Sequence, residues 1–339
     1  MEKVNVEKLF SWLDQTAVAI QQHLNEPYLD SLADTLDLLF YQEVHEDMDQ
    51  HITNTLQNAL NDIDLSTFST IEIRKAVQLA ILKGMKDTTQ QQHLITPETV
   101  SMIIGYLSDK LMEKKEHIRL FDPAGGTANL LTTVLEQLKQ NVDAYASEVD
   151  PTLIHLAVSN SNLQKKQIEF FQQDSLRPFL LDPVDLVISD LPVGYYPDDL
   201  QASKYELKAN NGHSYAHHLF IEQSLMYTKE AGYLILVIPE FLFDSDQSDK
   251  LNQFLHKHAH IIGVIRLPET AFKSKNNAKS ILILQKKGND TKEIKQPLLV
   301  QLPSFKNANA MADILGQMNA WFKKYHTNNE MNSRSDINE

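Results

Sequence analysis

Two adjacent glycines mark the segment with the clearest chemical meaning, Phe121-Asp-Pro-Ala-Gly-Gly-Thr-Ala-Asn-Leu-Leu131. The segment lies between a short apolar run and an amphipathic run, which predicts a turn from a strand into a helix. Glycine lets the backbone approach a ligand, and a helix N-terminus favours negative charge, so such a turn is typical of a nucleotide-cofactor site. The spacing is not G-x-G-x-x-G, which argues against a nicotinamide cofactor. An ordinary strand-to-helix turn is the alternative interpretation.

Three acidic residues follow three successive predicted strands. Asp122 ends the first strand, Glu148 lies 26 residues later at the end of the second, and Asp174 lies 26 residues further on. Ligands bind at the carboxyl ends of strands in open α/β sheets. There, Asp122 suits a cationic amino group, Glu148 can accept from ribose hydroxyls, and Asp174 from an adenine amine. A single acid of this kind is more often a solvated loop residue, but three in matching places are harder to explain in that way.

The segments that must position these acids alternate between strand and helix patterns from Ile118 onward. The alternation predicts an α/β fold, with a doubly wound, mostly parallel sheet covered by helices. About ten residues without a helical pattern join the last two strands, so we expect the final strand to be antiparallel. The seven predicted strands are 118–121, 144–147, 168–171, 184–189, 233–238, 261–267 and 280–285, and the predicted helices are 127–138, 151–163, 214–227, 251–256 and 307–325.

A helical domain precedes this part of the chain. Apolar residues recur at helical spacing from Leu9 to Ile20, from Leu29 to Phe40 and from Ile71 to Met85. The polar residues 87–93 are typical of a linker, and the polar residues from Thr327 onward of a disordered tail. The predicted domains are an acidic helical domain (1–90), a catalytic domain (91–326) and the tail (327–339).

The motifs of residues 90–300 resemble those of the adenine-N6 DNA methyltransferases, in particular the modification subunits of type I restriction systems and small stand-alone relatives in Gram-positive bacteria. Ile95-Thr-Pro-Glu-Thr-Val100 is similar to a family turn that touches the methionine part of the cofactor. Asp122 to Leu131 resembles the cofactor loop, and Ser189-Asp-Leu-Pro-Val-Gly-Tyr195 the catalytic Asn/Asp-Pro-Pro-aromatic motif. Two further similar stretches are 232–243 and 265–272. The resemblance implies a class I, Rossmann-like methyltransferase fold and S-adenosylmethionine as cofactor.

The resemblance also implies a chemistry for Asp190. Its carboxylate would accept a hydrogen bond from an N6 amine, and a backbone carbonyl held by the proline would accept the second amine proton. Positioning would supply most of the acceleration, because the cofactor carries the reactive group.

The sequence departs from the family pattern at three positions. Leu191 replaces the first proline, and Ala128 replaces a glycine of the cofactor loop. Val193 replaces the aromatic residue that stacks on a flipped base, a contact worth roughly 1–3 kcal/mol. Tyr195 or Tyr196 would have to supply that ring instead.

These motifs give a set of candidate site residues. The catalytic candidates are Asp190, Leu191, Pro192 and Val193. The cofactor-binding candidates are Thr96, Asp122, Pro123, Ala124, Gly125, Thr127, Asn129, Glu148, Asp174, Ser175 and Asp190. The candidates on the substrate side are Tyr195, Tyr196, His213 and Lys273. We expect no metal, because His218 and Glu222 lie one helical turn apart without a third ligand at a suitable spacing.

Charge and composition constrain partners and location. The chain has no cysteine and no long apolar run, so we expect a cytoplasmic protein that does not bind membranes. The net charge is −14, of which residues 1–70 carry −11. DNA binding needs Lys and Arg near phosphates, so the N-terminal helices would avoid DNA and would suit a protein partner or a homodimer. Residues 266–295 carry a net +5, which is either a phosphate-contacting rim or a solvated loop.

The sequence leaves three functions open. The first is N6-adenine methylation of DNA, with Asp190-Leu-Pro-Val at the target amine. The second is methyl transfer to another planar amine or amide in RNA, protein or a small molecule, because fold does not determine the acceptor. The third is a regulatory protein that binds the cofactor without DNA methylase activity.

Overall fold

The computed structural model describes residues 2–44, 48–86, 95–178, 180–272 and 278–335. The chain forms two compact units. The first consists of Met1–Ser101, Gly125–Glu136 and Asp143–Asp174, and the second of Met102–Ala124, Gln137–Val142 and Ser175–Glu339.

Helices form the N-terminal part of the first unit: α1 (Glu2–Leu24), α2 (Tyr28–Tyr41), α3 (Gln50–Asn61) and α4 (Thr70–Met85). Helix α4 begins at a capping box, in which the Ser69 side chain accepts from the Glu72 N–H and Glu72 accepts from the Ser69 N–H. The apolar faces of these helices form one core, and Leu153 and Leu156 of a later helix belong to it. The core of the N-terminal helices therefore includes residues beyond position 90.

The rest of the first unit is an α/β segment containing α6 (Asn129–Gln137), β2 (Asn141–Glu148), α7 (Pro151–Leu163) and β3 (Ile168–Gln172). Strands β2 and β3 pair in parallel, with Glu148 opposite Gln172. Asp150 caps α7 by accepting from the N–H groups of Thr152 and Leu153, and Pro151 occupies the first turn, where no N–H is needed. This cap fixes the chain directly after Glu148.

The second unit contains the remaining strands: β1 (His117–Asp122), β4 (Val184–Asp190), β5 (Thr228–Pro239), β6 (Ala259–Arg266), β7 (Lys279–Lys286) and β8 (Leu298–Gln301). Its helices are most of α5 (Glu98–Leu111), α8 (Asp199–Ala202), α9 (Ala216–Tyr227), α10 (Ser248–His258) and α11 (Ala308–Ser335). Strand β4 is buried along almost its whole length, as expected of a central parallel strand. Strands β1 and β5 pair with β4 in parallel, so all three end at one edge.

The sheet has eight strands in the order β3-β2-β1-β4-β5-β7-β6-β8, where the sequence predicts seven. The additional strand, β8, has four residues and pairs in parallel with β6. A run of that length is too short to show an alternating pattern, which is why the prediction misses it. Strand β7 is antiparallel to β5 and to β6, which confirms the expected reversal. The α/β class with an N-terminal helical domain is confirmed.

The predicted linker, residues 87–93, and Lys273 lie outside the described residues. The last helix continues to Ser335, beyond its expected end at 325 and across the predicted start of the tail at Thr327. None of the described helices is both long and apolar enough to cross a membrane.

Candidate functional site

The glycine turn passes very close to strand β2 in the first unit. The Gly125 N–H donates to the Ser147 carbonyl over 2.9 Å, and a Cβ added at Gly125 would lie 3.1 Å from the Ala146 Cβ. Gly126 has a φ of +53° and Ala128 one of +59°, both in the left-handed region. The two glycines therefore serve close approach and an unusual backbone path, as the sequence predicts.

Glu148 is held against this loop by backbone groups. One carboxylate oxygen accepts from the Gly126 N–H over 2.9 Å, and the other accepts from the N–H groups of Val149 and Asp150. An ionised carboxylate has about four acceptor positions. Any ribose hydroxyl must therefore share Glu148 with these donors, which keep the carboxylate in place.

Thr127 provides a test of whether the loop fits a bound cofactor. The Thr127 side chain is 1% exposed, and its hydroxyl has no hydrogen-bond partner. Buried hydroxyls are nearly always hydrogen-bonded in folded proteins, so an unpaired one in a cofactor loop fits a ligand group that completes it. The next candidate, Asn129, is already engaged, because its amide donates to the Thr96 carbonyl over 2.9 Å. The structure thus brings the candidates Thr96 and Asn129 together.

Asp174 is half-buried two residues after the end of β3, in the first unit. The residue before it is fixed, because the Ser147 hydroxyl on β2 donates to the Gln173 carbonyl over 2.8 Å. The position agrees with the predicted strand-end placement, and the adenine contact of Asp174 stays a prediction.

Asp122 occupies the corresponding strand end of the second unit. Its carboxylate is 1% exposed and accepts from the Ser189 hydroxyl over 2.9 Å and from the Ala124 N–H over 3.1 Å. The Ser175 hydroxyl donates to the Pro123 carbonyl over 2.5 Å. Candidates from three chain segments therefore meet at the end of β1, next in sequence to the glycine turn.

Asp190 is the last residue of β4, and it is paired with a lysine that was not among the predicted site residues. The Lys279 ammonium lies 2.5 Å from one Asp190 oxygen, and the two side chains are 12% and 15% exposed. Lys279 is the first residue of β7, and an antiparallel strand begins at the edge where its parallel neighbours end. The sequence shows that Lys279 directly precedes the strand expected to be antiparallel, but it does not show that this strand lies beside β5 and near Asp190.

The residues after Asp190 form a pinned loop. The Leu191 N–H donates to the Val237 carbonyl over 3.1 Å, and the Leu191 side chain is buried, while Pro192 and Val193 are half-buried. The Tyr196 N–H donates to the Ser214 carbonyl, and Tyr196 is only 7% exposed. Of the two tyrosines proposed to supply a ring, the buried Tyr196 is the poorer candidate.

Tyr195, in contrast, is 59% exposed and belongs to an aromatic stack. Its ring lies 4.9 Å from that of Tyr215 at an interplanar angle of 12°, and Tyr215 stacks in turn on His217 at 5.0 Å. The Tyr215 hydroxyl donates to Asp246 over 3.1 Å. Tyr195 thus offers a supported ring five residues after Asp190, and Tyr215 beneath it is a site residue that the sequence did not indicate.

Two buried histidines lie next to this stack at the start of α9. His217 and His218 are both fully buried, and no ring nitrogen of either has a hydrogen-bond partner. Burial, with a smaller contribution from the charge of His218, lowers the pKa of His217 to about 3. Burial also lowers the pKa of His218 to about 4, although nearby Asp246 opposes the shift. Both imidazoles are therefore neutral at physiological pH.

The segment between Tyr196 and His213 is a mostly polar insert, and hydrogen bonds hold it against α9. The Tyr205 hydroxyl donates to the Gln223 side chain over 2.8 Å. Glu222 accepts from the N–H groups of Glu206 and Leu207, so its carboxylate holds the insert. His213 lies 3.0 Å from Asp199 at the surface. These contacts describe a folded segment, and the substrate-side role of His213 stays a prediction.

Comparison with known proteins gives two family matches. Residues 82–335 match the N-6 DNA methylase family, and residues 7–85 match the YtxK N-terminal helical domain. The chain is 45% identical to the uncharacterized protein YtxK of Bacillus subtilis over 328 residues, which are 96% of this chain and 99% of the relative.

Comparison with solved structures also finds methyltransferases. A protein from Listeria monocytogenes, assigned as a class I S-adenosylmethionine-dependent methyltransferase, matches with a TM-score of 0.88 and 44% identity over 94% of this chain and 99% of its own. The methyltransferase subunit of a type I restriction-modification system from Streptococcus thermophilus shares the fold, with a TM-score of 0.63 and 17% identity over 91% of this chain and 74% of its own. The chain therefore belongs to the N-6 DNA methylase family and is a class I methyltransferase that uses S-adenosylmethionine.

Proposed function

We propose that this methyltransferase transfers the methyl group to the N6 amine of adenine in DNA. The observation that carries the proposal is the position of Asp190, the last residue of β4, at the start of an Asp-Leu-Pro-Val loop. A carboxylate at that strand end is suited to accept a hydrogen bond from an exocyclic amine. The description of the matching family, N-6 DNA methylase, supports the same acceptor.

Asp190 would position the methyl-accepting amine. Asp190 accepts an N6–H and holds the amine nitrogen in one orientation, which is where most of the acceleration arises. Bound S-adenosylmethionine supplies an electrophilic methyl group, so that a C–N bond forms as the C–S bond breaks and one N6 proton is released. The Asp190 carboxylate, which already accepts a hydrogen bond from the amine, takes up that proton.

The aromatic stack supports a planar acceptor. The exposed Tyr195 ring is braced by Tyr215, so a base can lie against it without first ordering the side chain. Val193, at the position of the usual aromatic residue, has no ring to hold a flipped base. Activity on single-stranded DNA should therefore exceed activity on duplex DNA, because less unstacking energy is needed.

The experiment is a methyl-incorporation assay with adenine-containing single-stranded DNA, the matched duplex, RNA of the same sequence and cell-extract protein. Wild-type protein should label single-stranded DNA best, and Asp190→Ala should lose at least about a hundredfold in turnover while still binding cofactor. Asp182→Ala is the matched control, since Asp182 is 89% exposed. Labelling of RNA or protein in preference to DNA would refute the DNA proposal. The proposal would also be refuted if the protein bound cofactor tightly but did not label any DNA.

A further inference from the structure

One buried arginine of the N-terminal helical domain is bonded to the start of α5. Arg74 lies on α4 and its side chain is 7% exposed, and its Nη2 donates to a Glu98 carboxylate oxygen over 3.1 Å. Glu98 is the first residue of α5, where a helix N-terminus favours negative charge. The Arg74 Nε is buried and has no hydrogen-bond partner among the described residues, so this guanidinium charge depends on Glu98.

The Arg74–Glu98 pair fixes a position more than it adds stability. Removing the two charges from water offsets much of their attraction, so such a pair contributes little net stability. It does hold Glu98 against α4. Ile95, three residues earlier, packs against the core that α4 helps to form. The segment 95–98 is therefore held at both ends by the N-terminal helical domain.

The same segment is bonded to the helix that follows the glycine turn. The Asn129 side-chain amide donates to the Thr96 carbonyl over 2.9 Å, and Thr96 and Asn129 are 8% and 5% exposed. Asn129 is the first residue of α6 and lies three residues after Gly126, whose N–H donates to Glu148. All of these residues belong to the first unit. Two hydrogen bonds, with a short segment between them, thus connect α4 to the glycine turn.

We propose that Arg74 is a positioning residue for S-adenosylmethionine, supplied by the N-terminal helical domain. Arg74 holds Glu98 and so fixes the segment 95–98 against α4. The Thr96 carbonyl of that segment then holds Asn129, and with it the start of α6, in the arrangement that binds the cofactor. Because coupling between sites is reciprocal, bound cofactor stabilises α4 in turn. This role is independent of which acceptor receives the methyl group.

The test measures cofactor affinity by calorimetric titration with S-adenosylmethionine. Arg74→Met should weaken binding by about fivefold or more, because the segment 95–98 loses its bond to α4. Glu98 is 26% exposed, so water can solvate its carboxylate in this variant. Arg74→Lys keeps a cationic donor and should keep most of the affinity. Lys75→Met is the matched control, because Lys75 is the next residue of α4 and pairs with Glu2.

Two further readouts separate positioning from a general structural role. Adding Glu98→Gln to Arg74→Met should weaken binding no further, because the bond between the two side chains is already absent. Cofactor should slow hydrogen exchange of the α4 amides in the wild type, more than that of the α3 amides, and this difference should shrink in Arg74→Met. A merely structural role would change the unfolding midpoint without this dependence on cofactor.

Equal cofactor affinity in the wild type and a folded Arg74→Met would overturn the inference, as would an equal loss in Lys75→Met. A further loss on adding Glu98→Gln would show that Glu98 acts independently of Arg74, and would overturn it too. If Arg74→Met does not fold, hydrogen exchange of the wild type decides: equal slowing of α3 and α4 by cofactor rejects the coupling. Every readout is one of binding, so failure of methyl transfer to DNA would leave this result unaffected.

Discussion

Asp122 and Asp190 are both carboxylates at strand ends, yet their partners differ. Asp122 accepts from a hydroxyl and a backbone N–H, whereas Asp190 meets the full positive charge of Lys279. A carboxylate that receives the cationic amino group of a cofactor is best surrounded by neutral donors, which leave its charge available. The two carboxylates thus differ in the charge of these partners, and the roles of both residues stay predictions.

Glu148 allows the cofactor side to be tested at one residue. We expect Glu148→Ala to weaken binding of S-adenosylmethionine by about ten- to a hundredfold, since hydrogen bonds to a charged group contribute about 1.5–3 kcal/mol. Part of the loss would come from the Gly126 N–H, which loses its acceptor. Calorimetric titration measures the effect, with Glu169→Ala, exposed on β3, as the control. Unchanged affinity in the Glu148 variant would remove this residue from the site.

Val193 allows the acceptor side to be tested in the same way. Val193→Phe should raise methyl transfer to adenine in DNA by about fivefold or more, because base–aromatic stacking contributes roughly 1–3 kcal/mol. The gain should be larger on duplex than on single-stranded DNA, since the duplex base must be held out of its stack. Parallel rate measurements on both substrates give the comparison. A variant that binds cofactor but gains nothing on either would show that the position does not contact the base.

Helix α9 begins with two buried histidines, His217 and His218, next to the Tyr195–Tyr215 stack. We predict that these histidines make the stability of the protein depend on pH. The folded-state pKa values of His217 and His218, about 3 and about 4, lie below the unfolded value near 6.5. Above pH 6.5 neither state binds the proton. As the pH falls below 6.5 the unfolded chain takes up protons that the folded chain does not, so stability falls by about 1.4 kcal/mol per pH unit for each histidine.

Denaturant unfolding at pH 7.5 and pH 5.5 would measure this loss. His217→Leu should be less sensitive to acid than the wild type by about 1 kcal/mol over that interval. His256→Gln, exposed on α10, is the control. The raised pKa of His155, caused mainly by its hydrogen bond to Asp37, acts in the opposite direction but is common to all three proteins. An identical acid response in wild type and His217→Leu would contradict the prediction.

The strand and helix pattern explains how much the sequence could reveal. The predicted helix at 151–163 has the observed bounds of α7, because a capping Asp150 and Pro151 mark its start unambiguously. The acids at strand ends were visible because parallel strands put their ends at one edge. Lys279 could not be identified from the sequence, because its proximity to Asp190 depends on which strand lies beside β5. Local periodicity carries no information on the order in which strands pair. Tyr215 was missed for the same reason, since it reaches Tyr195 only through the isolated pairing of the two residues.

At the scale of the whole molecule, charge is distributed unevenly, and packing constrains how that can be tested. Residues 1–70 carry −11 of the total −14. Deleting the N-terminal helices would test their role directly, but it would also expose Leu153 and Leu156 of α7, which share their core. Burying apolar area contributes about 25 cal/mol per Å², so such a truncation would destabilise the first unit. Changing exposed charges is the cleaner experiment.

We therefore predict that neutralising exposed acids of the N-terminal helices leaves DNA affinity unchanged or raises it. Glu7→Gln, with a side chain 64% exposed, and Asp62→Asn at the end of α3 each remove one negative charge without disturbing the core. If this surface lies away from DNA, the slope of log affinity against log salt should not change, because that slope counts the phosphates neutralised by the protein.

Lys287→Gln, which removes a charge from the basic segment 266–295, is the contrasting variant and should weaken binding if that segment contacts phosphate. Fluorescence anisotropy with a labelled single strand at several salt concentrations measures both quantities. Weaker binding by a variant that carries both Glu7→Gln and Asp62→Asn, with an unchanged unfolding midpoint, would show that these helices contact the nucleic acid. It would also favour a path for the strand across the acidic surface, which the charge distribution argues against.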